Sequence, residues 1–336
     1  MPKELRWGLV GASDIAATRV LPAIRRAGGI VRIVQSGSKD HGRGYAAGNE
    51  IPTATTELSE ALAADIDAVY ISSRNDQHAA QALAAAAAGK HILLEKPLAI
   101  DYAEAQSVVA ACERAGVVLA INHHLPGAGT HARIRELVRG GAIGRVLSAS
   151  IRHAVMLPER LRGWRLFGAP GGGVILDITV HDASVLNPLI GHPAQTVTAL
   201  ATSQGRWPAT AEDAAMVAIT YGADILAQTH DAFTSAFTET RLEVHGEEGS
   251  IVGRGVMTQD PVGQVFLTDR SGEREIPVDD RRDLYDIAIG AFAGAVAGEG
   301  SPAASGADGL AALAVAQAAL TSSQTGRAVP ISDITK

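Results

Sequence analysis

The stretch LRWGLVGASDIAATRVLPAIRRAGG, from Leu5 to Gly29, changes its pattern halfway along. Leu5 to Val10 is a short apolar run that stops at Gly11, and from Ile15 to Ala27 the residues Ile15, Val20, Leu21 and Ile24 recur at helical spacing. That predicts a strand, a tight turn and a helix. The turn, Gly11-Ala12-Ser13-Asp14-Ile15-Ala16, is a relaxed G-x-G-x-x-G with Ser13 at the second glycine and Ala16 at the third. A backbone open to close approach, followed by the N–H groups that begin a helix, suits a pyrophosphate. Alone, the pattern fits an ordinary strand-to-helix turn equally well, so its surroundings decide.

The surroundings repeat the unit. A second strand is expected from Ile30 to Gln35, helices from Gly42 to Asn49 and Leu58 to Ala64, and a β-branched strand from Ala68 to Ser72. An Ala-rich helix follows from Gln77 to Ala88, then a strand from His91 to Glu95. After Pro97 the pattern predicts a helix from Tyr102 to Ala115, capped by Asp101, and a strand from Val117 to Ile121. Strands alternating with crossover helices imply a parallel sheet covered on both faces, so residues 1–122 read as a Rossmann dinucleotide-binding domain.

Beyond it, longer strands follow one another: Val146 to Val155, Thr196 to Ser203, Ala214 to Tyr221, Ile225 to Phe233, Thr240 to His245 and Val265 to Thr268. Turns such as Tyr221-Gly222-Ala223-Asp224 favour antiparallel pairing. One long helix from about Gly173 to Ile190 interrupts them, and helices around Ile287 to Ala297 and Gly309 to Thr321 end the series. The fold class is α/β, an N-terminal Rossmann domain followed over residues 123–336 by an α+β substrate domain with a large, mostly antiparallel mixed sheet.

Composition narrows the function. With 46% hydrophobic and 19% charged residues over 336 positions, the chain can fill two cores. A formal charge of -7 and the lack of a basic run with interleaved aromatics argue against nucleic acid as a partner. Cys112 is the single cysteine, which excludes an intrachain disulfide and a multi-thiolate zinc site. No signal-peptide core precedes Asp14, and the Ala79–Ala88 run is far below the ~20 residues that cross a bilayer, so a cytoplasmic protein without membrane partners is expected. Oligomeric state is not legible.

Where an NAD enzyme usually places an acid on the ribose, this chain has Ser36-Gly37-Ser38-Lys39, then His41 and Arg43. Small hydroxyls followed by cations suit a 2'-phosphate, so NADP(H) is the expected cofactor, with Asp40 running against it. Glu95-Lys96-Pro97 lies at the carboxyl edge of the sheet, where Lys96 can stabilise charge building on a carbonyl oxygen. The Lys96-Pro97 bond is a candidate for cis geometry. After Gly171-Gly172-Gly173, Asp177 and His181 stand four apart on one helix face, as a proton donor with an orienting carboxylate or as a satisfied helix histidine. Asn122-His123-His124 with His131 invites a metal reading, but adjacent histidines do not converge on one ion, and no metal is expected. Trp164-Arg165 offers a flat surface and a phosphate-matching fork, or a buried Trp beside a surface Arg.

Taken together, Gly11 to Ala16, Glu95-Lys96-Pro97, Trp164-Arg165 and GGGVILDITVHD from Gly171 to Asp182 resemble the glucose-fructose oxidoreductase, inositol dehydrogenase and rhizopine catabolism (Gfo/Idh/MocA) family. The likeness runs on through NHHL at 122–125, HDAFT at 230–234 and EVHGEEGSIVGRGVMTQDPVG at 243–263, so it covers nearly the whole chain. It implies hydride transfer from NADPH to the ketone of a small sugar, with Lys96 binding and polarising the carbonyl. His181 would donate the proton, and Asp177 would orient it or hold a sugar hydroxyl. The implied cofactor contacts are Gly11, Ala12, Ser13, Asp14 and Ile15; Ser36, Gly37 and His41; Ser72, Ser73, Arg74, Asn75, Asp76, Gln77 and His78; then Glu95, Lys96, Asn122, Trp164, Arg165 and Tyr285. Two departures stand out. His41 takes the place of an arginine that would meet the 2'-phosphate, and Arg74 replaces a small polar residue. Another sugar or polyol dehydrogenase of the family, or a non-catalytic NADP(H) sensor, are the competing readings.

Overall fold

A computed structural model describes residues 4–167 and 170–336. The chain divides into two compact units, Met1–His124 with Tyr285–Leu310, and Leu125–Leu284 with Ala311–Lys336.

The first unit is built on β1 (Arg6–Val10), β2 (Ile30–Gln35), β3 (Thr53–Thr55), β4 (Ala68–Ile71), β5 (His91–Leu94) and β6 (Leu119–Ile121). They form a sheet in the order β3-β2-β1-β4-β5-β6 with parallel pairing throughout. Trp7, Leu9, Val10 and all of β4 are buried, as expected of strands covered on both faces by helices. The helix Tyr102–Ala115 has the bounds expected from sequence, and Asp101 caps it by accepting the N–H of Glu104.

The return of residues 285–310 to this unit corrects the sequence reading, which carried 123–336 as one domain. The helix Leu284–Val296 places Tyr285, Ile289 and Phe292 in the first core, with the Phe292 ring 5.1 Å from Trp7. Ser305 then bridges to Ala120 at the β6 edge. Apolar periodicity reports that a helix has a buried face and says nothing of which core receives it.

The second unit carries β7 (Val146–Ala154), β8 (Ala194–Thr202), β9 (Ala214–Tyr221), β10 (Ile225–Ala232), β11 (Arg241–Gly246), β12 (Ser250–Arg254), β13 (Gln264–Asp269), β14 (Gly272–Ile276) and β15 (Val329–Pro330). Their order is β14-β13-β12-β11-β7-β10-β9-β8-β15. Among the described residues only β7 with β10 is parallel in this sheet, so the expected mostly antiparallel mixed sheet is found. Along β9 and β10 buried and exposed residues alternate, leaving Met216 and Leu226 on the open face. On the other face lies the helical run that carries Asp177 and His181. It begins as a wide π-type turn over Ile175–Thr179 and continues as an α-helix over Val180–Ile190. Among the described residues no helix is long and apolar enough to cross a membrane.

Candidate active site

In the first unit the strand order reverses between β1 and β4, and the chain leaves the carboxyl ends of these neighbours in Gly11 and Ser72. Such a switch point opens a crevice for a ligand. Gly11 has φ +99°, and a Cβ there would come 2.8 Å from the Ser73 backbone nitrogen and 2.9 Å from the Ser72 carbonyl carbon. Ser13 Oγ donates to Ser72 Oγ at 2.7 Å and accepts the N–H of Ala16 at 3.2 Å, while the Tyr45 hydroxyl donates to the Ser13 carbonyl at 3.1 Å. The turn is therefore fixed by β4, by its own helix and by the helix Lys39–Gly48. Gly11→Ala is expected to cost about 2–3 kcal/mol, from a left-handed backbone angle combined with a clash against main chain. Chemical denaturation and a nucleotide titration would check it, and unchanged values for both would contradict this packing.

At the end of β2, Ser36 is buried with its Oγ 3.3 Å from His41 Nδ1, and Ser38 caps the next helix by accepting the His41 N–H. Lys39, His41 and Arg43 are exposed beside it. In the Ser72–His78 loop, Ser73 Oγ donates to Gln81 at 2.6 Å, and Arg74 is ion-paired with Asp76. That pairing holds the Asp76 carboxyl below its usual range. A phosphate contact from Arg74 would have to compete with this partner. His78 lies behind the loop, fully buried, with Nδ1 2.7 Å from the Pro97 carbonyl and Nε2 3.2 Å from the Ser73 carbonyl. It ties the loop to the Glu95–Pro97 turn from within.

That turn contains a cis Lys96-Pro97 bond. Glu95 Oε1 accepts the Tyr70 hydroxyl and Asn122 Nδ2, each at 2.5 Å, and burial raises the Glu95 carboxyl above its usual range. Lys96 follows, half-buried. Asn122 Oδ1 is buried without a hydrogen-bond partner among the described residues, an acceptor still waiting for a donor. Next to it, burial together with the positive charge of Lys96 pushes His123 down to about 3. Tyr285 is brought in by its helix and stacks on the His124 ring at 5.0 Å.

In the second unit, Gly173 has φ +94°, and a Cβ there would run into the Glu212 carboxylate. Glu212 caps the helical run, accepting the Val174 N–H on its carbonyl at 3.0 Å and the Ile175 N–H on Oε1 at 3.4 Å. Asp177 and His181 are nearly buried. Asp177 Oδ2 accepts from Arg165 Nε at 3.1 Å, and the Arg165 guanidinium lies over the Trp164 ring at 4.5 Å. Trp164, Arg165 and Asp177 are thus one assembly, a link that their separate motifs did not show. The His153 ring lies 6.4 Å from that of His181.

Apart from His124 and Tyr285, these two sets of residues fall within two matched family models. Residues 5–123 match the oxidoreductase family with the NAD-binding Rossmann fold, and residues 131–252 match the GFO/IDH/MocA C-terminal domain. The chain belongs to the Gfo/Idh/MocA oxidoreductase family. This Gfo/Idh/MocA oxidoreductase is 45% identical over 328 residues to a 1,5-anhydro-D-fructose reductase of Ensifer adhaerens, covering 97% of this chain and 98% of that one. It is 27% identical over 331 residues to a D-xylose 1-dehydrogenase (NADP(+)) of Haloferax volcanii, covering 97% and 100%. The fold is shared with the aldose-aldose oxidoreductase of Caulobacter crescentus complexed with glycerol, at a TM-score of 0.88 and 22% identity over 98% of this chain and 100% of that one. It is shared as well with levoglucosan dehydrogenase in complex with NADH and levoglucosan, at 0.86 and 21% over 98% and 100%.

The first unit of the Gfo/Idh/MocA oxidoreductase fits a nicotinamide dinucleotide by its own geometry. Gly11 leaves a cradle that any side chain would fill, and Asn122 presents an unsatisfied acceptor at the same sheet edge. Tyr45, Tyr70 and Glu212 escaped the sequence reading, in which His123 was weighed only as a metal ligand. Each acts on a residue distant in sequence, and only Tyr45, one helical turn after His41, carried a local signal.

Proposed function

We propose that this protein is a cytoplasmic NADPH-dependent reductase that converts 1,5-anhydro-D-fructose to 1,5-anhydro-D-mannitol. The observation that carries the reading is the 45% identity to a 1,5-anhydro-D-fructose reductase along nearly the full length of both chains. When bound, the nicotinamide supplies the hydride. The Gly11–Ile15 turn would receive the pyrophosphate, and Ser36 with Lys39, His41 and Arg43 would receive the 2'-phosphate, where a carboxylate would repel it. Lys96 would bind the substrate ketone and stabilise the negative charge that grows on its oxygen. His181 would give that oxygen its proton, and Asp177, joined to Arg165, would hold a sugar hydroxyl or orient the donor.

The reading is tested by following NADPH oxidation with purified protein and 1,5-anhydro-D-fructose, beside NADH and beside D-xylose with NADP⁺. Rapid NADPH-selective turnover of the anhydroketose supports it. Preferential oxidation of D-xylose would replace it with a sugar dehydrogenase of the same family, and cofactor binding without turnover of any sugar would favour a sensor.

Cofactor choice gives a separate prediction. His41→Arg sets a permanent forked cation beside Ser36 and is expected to raise the NADPH-over-NADH ratio of kcat/KM about tenfold, as one added charged hydrogen bond would. An unchanged or lower ratio would remove position 41 from the phosphate site.

A further inference from the structure

Beside the helix of His181 lies a buried polar cluster that the chemistry above leaves unused. Asp182, the next residue along, and Asp231, near the end of β10, are both fully buried. Asp182 Oδ1 is 2.8 Å from His153 Nδ1, and Asp231 Oδ2 accepts Thr179 Oγ1 at 2.5 Å and Thr229 Oγ1 at 2.8 Å. Among the described residues the remaining oxygens, Asp182 Oδ2 and Asp231 Oδ1, receive no N–H or O–H donor, and the two carboxyls are near enough to act on each other electrostatically. An ionised carboxylate only accepts, so two carboxyls can bond one another only when one of them holds a proton. Two like charges this deep would otherwise repel without water to screen them.

We propose that Asp182 and Asp231 share one proton, and that the pair anchors His153 so that its ring backs the ring of His181, making all three positioning residues for the proton donor. The proposal rests on the reading of His181 as that donor. Burial pushes Asp182 up to about 8 and raises Asp231 well above the carboxylate range, the direction that a retained proton requires. The titratable groups that meet here are His153 from β7, Asp182 from the helix and Asp231 from β10, with the His181 ring 6.4 Å from that of His153. The threonines occupy Oδ2 of Asp231, so Oδ1 is the oxygen left for a shared proton. The cluster ties β7, β10 and the helix together at the position where the His181 ring has to be held still.

Infrared spectroscopy of the full chain reads the shared proton directly. Wild type at pH 7 should show a protonated-carboxyl C=O band that shifts in D₂O and disappears in both Asp182→Asn and Asp231→Asn. Absence of that band in wild type, or its survival in both variants, overturns the shared proton. The positioning role is read from kinetics. His153→Ala and Asp231→Ala should lower kcat about tenfold with little change in the sugar KM or in NADPH binding, and Asp231→Asn should recover part of the loss. If Asp231→Ala does not fold, Asp231→Asn and His153→Ala carry the test. Wild-type kcat in His153→Ala would overturn the positioning role even with the band present. Wild-type turnover in His181→Ala would instead defeat the reading of the donor while leaving the infrared result standing, so the two failures are distinguishable.

Discussion

Alanine in place of Lys96 or of His181 is expected to reduce turnover by ~10²-fold or more while NADPH still binds, as loss of a charge-stabilising group or a proton donor does in carbonyl reduction. The two substitutions should differ in detail. Lys96 follows Glu95, whose carboxyl is already held by Tyr70 and Asn122, so its removal leaves that pair intact and should spare the fold. Its loss should also raise the sugar KM, because the same ammonium would bind the ground-state carbonyl. His181 would act as charge develops, so its loss should fall mainly on kcat. Steady-state kinetics with a nucleotide fluorescence titration measure both. Wild-type turnover in either variant would remove that residue from the chemistry.

A second large effect is expected on stability in acid. His123 is fully buried beside Lys96 and His124, and burial with their charge lowers its imidazole to about 3. An unfolded histidine titrates near 6.5. Between these values the unfolded chain binds a proton that the folded protein refuses, so stability rises with pH through this window and is lost as pH falls from about 6.5 towards 3. The whole contribution is up to about 5 kcal/mol, at a slope near 1.4 kcal/mol per pH unit. His78, also lowered by burial, adds to it in the same direction. His123→Asn, whatever its effect at pH 7, should flatten the dependence of unfolding free energy on pH by about one proton between pH 4 and 6. Urea denaturation across that range would show it, and an undiminished slope would place the acid sensitivity elsewhere.

Much of the candidate site was legible in the sequence because its residues sit in local motifs. The Gly11 turn, the strand end at Lys96 and the helix carrying Asp177 and His181 all lie where short-range periodicity and turn chemistry put them. The spacing of Asp177 and His181 was read as an ordinary helical turn, but the chain takes a wider turn over Ile175–Thr179. Nothing in ILDIT announces that change, since it depends on what packs around the segment. Strands with weak patterns were lost as well. β14, Gly-Glu-Arg-Glu-Ile, is an exposed edge strand with almost no apolar face, and β3 has only three residues. The helix Gly129–Arg139 went unnoticed because its buried face includes Gly129, Thr130 and His131 beside Ile134, a mixture that hydrophobicity does not mark.

The sequence by itself determined the class of fold, the nucleotide turn, the lysine and histidine of the proposed reaction and, through its family pattern, the oxidoreductase assignment, because each is encoded in residues close together along the chain. Only the tertiary structure decided that residues 285–310 return to the first core, that Arg165 meets Asp177, and that His153, Asp182 and Asp231 form one buried cluster. Those contacts join positions from a dozen to more than two hundred residues apart. What selects them is the burial of apolar surface and the pairing of polar groups inside a completed core, and no local pattern carries that information.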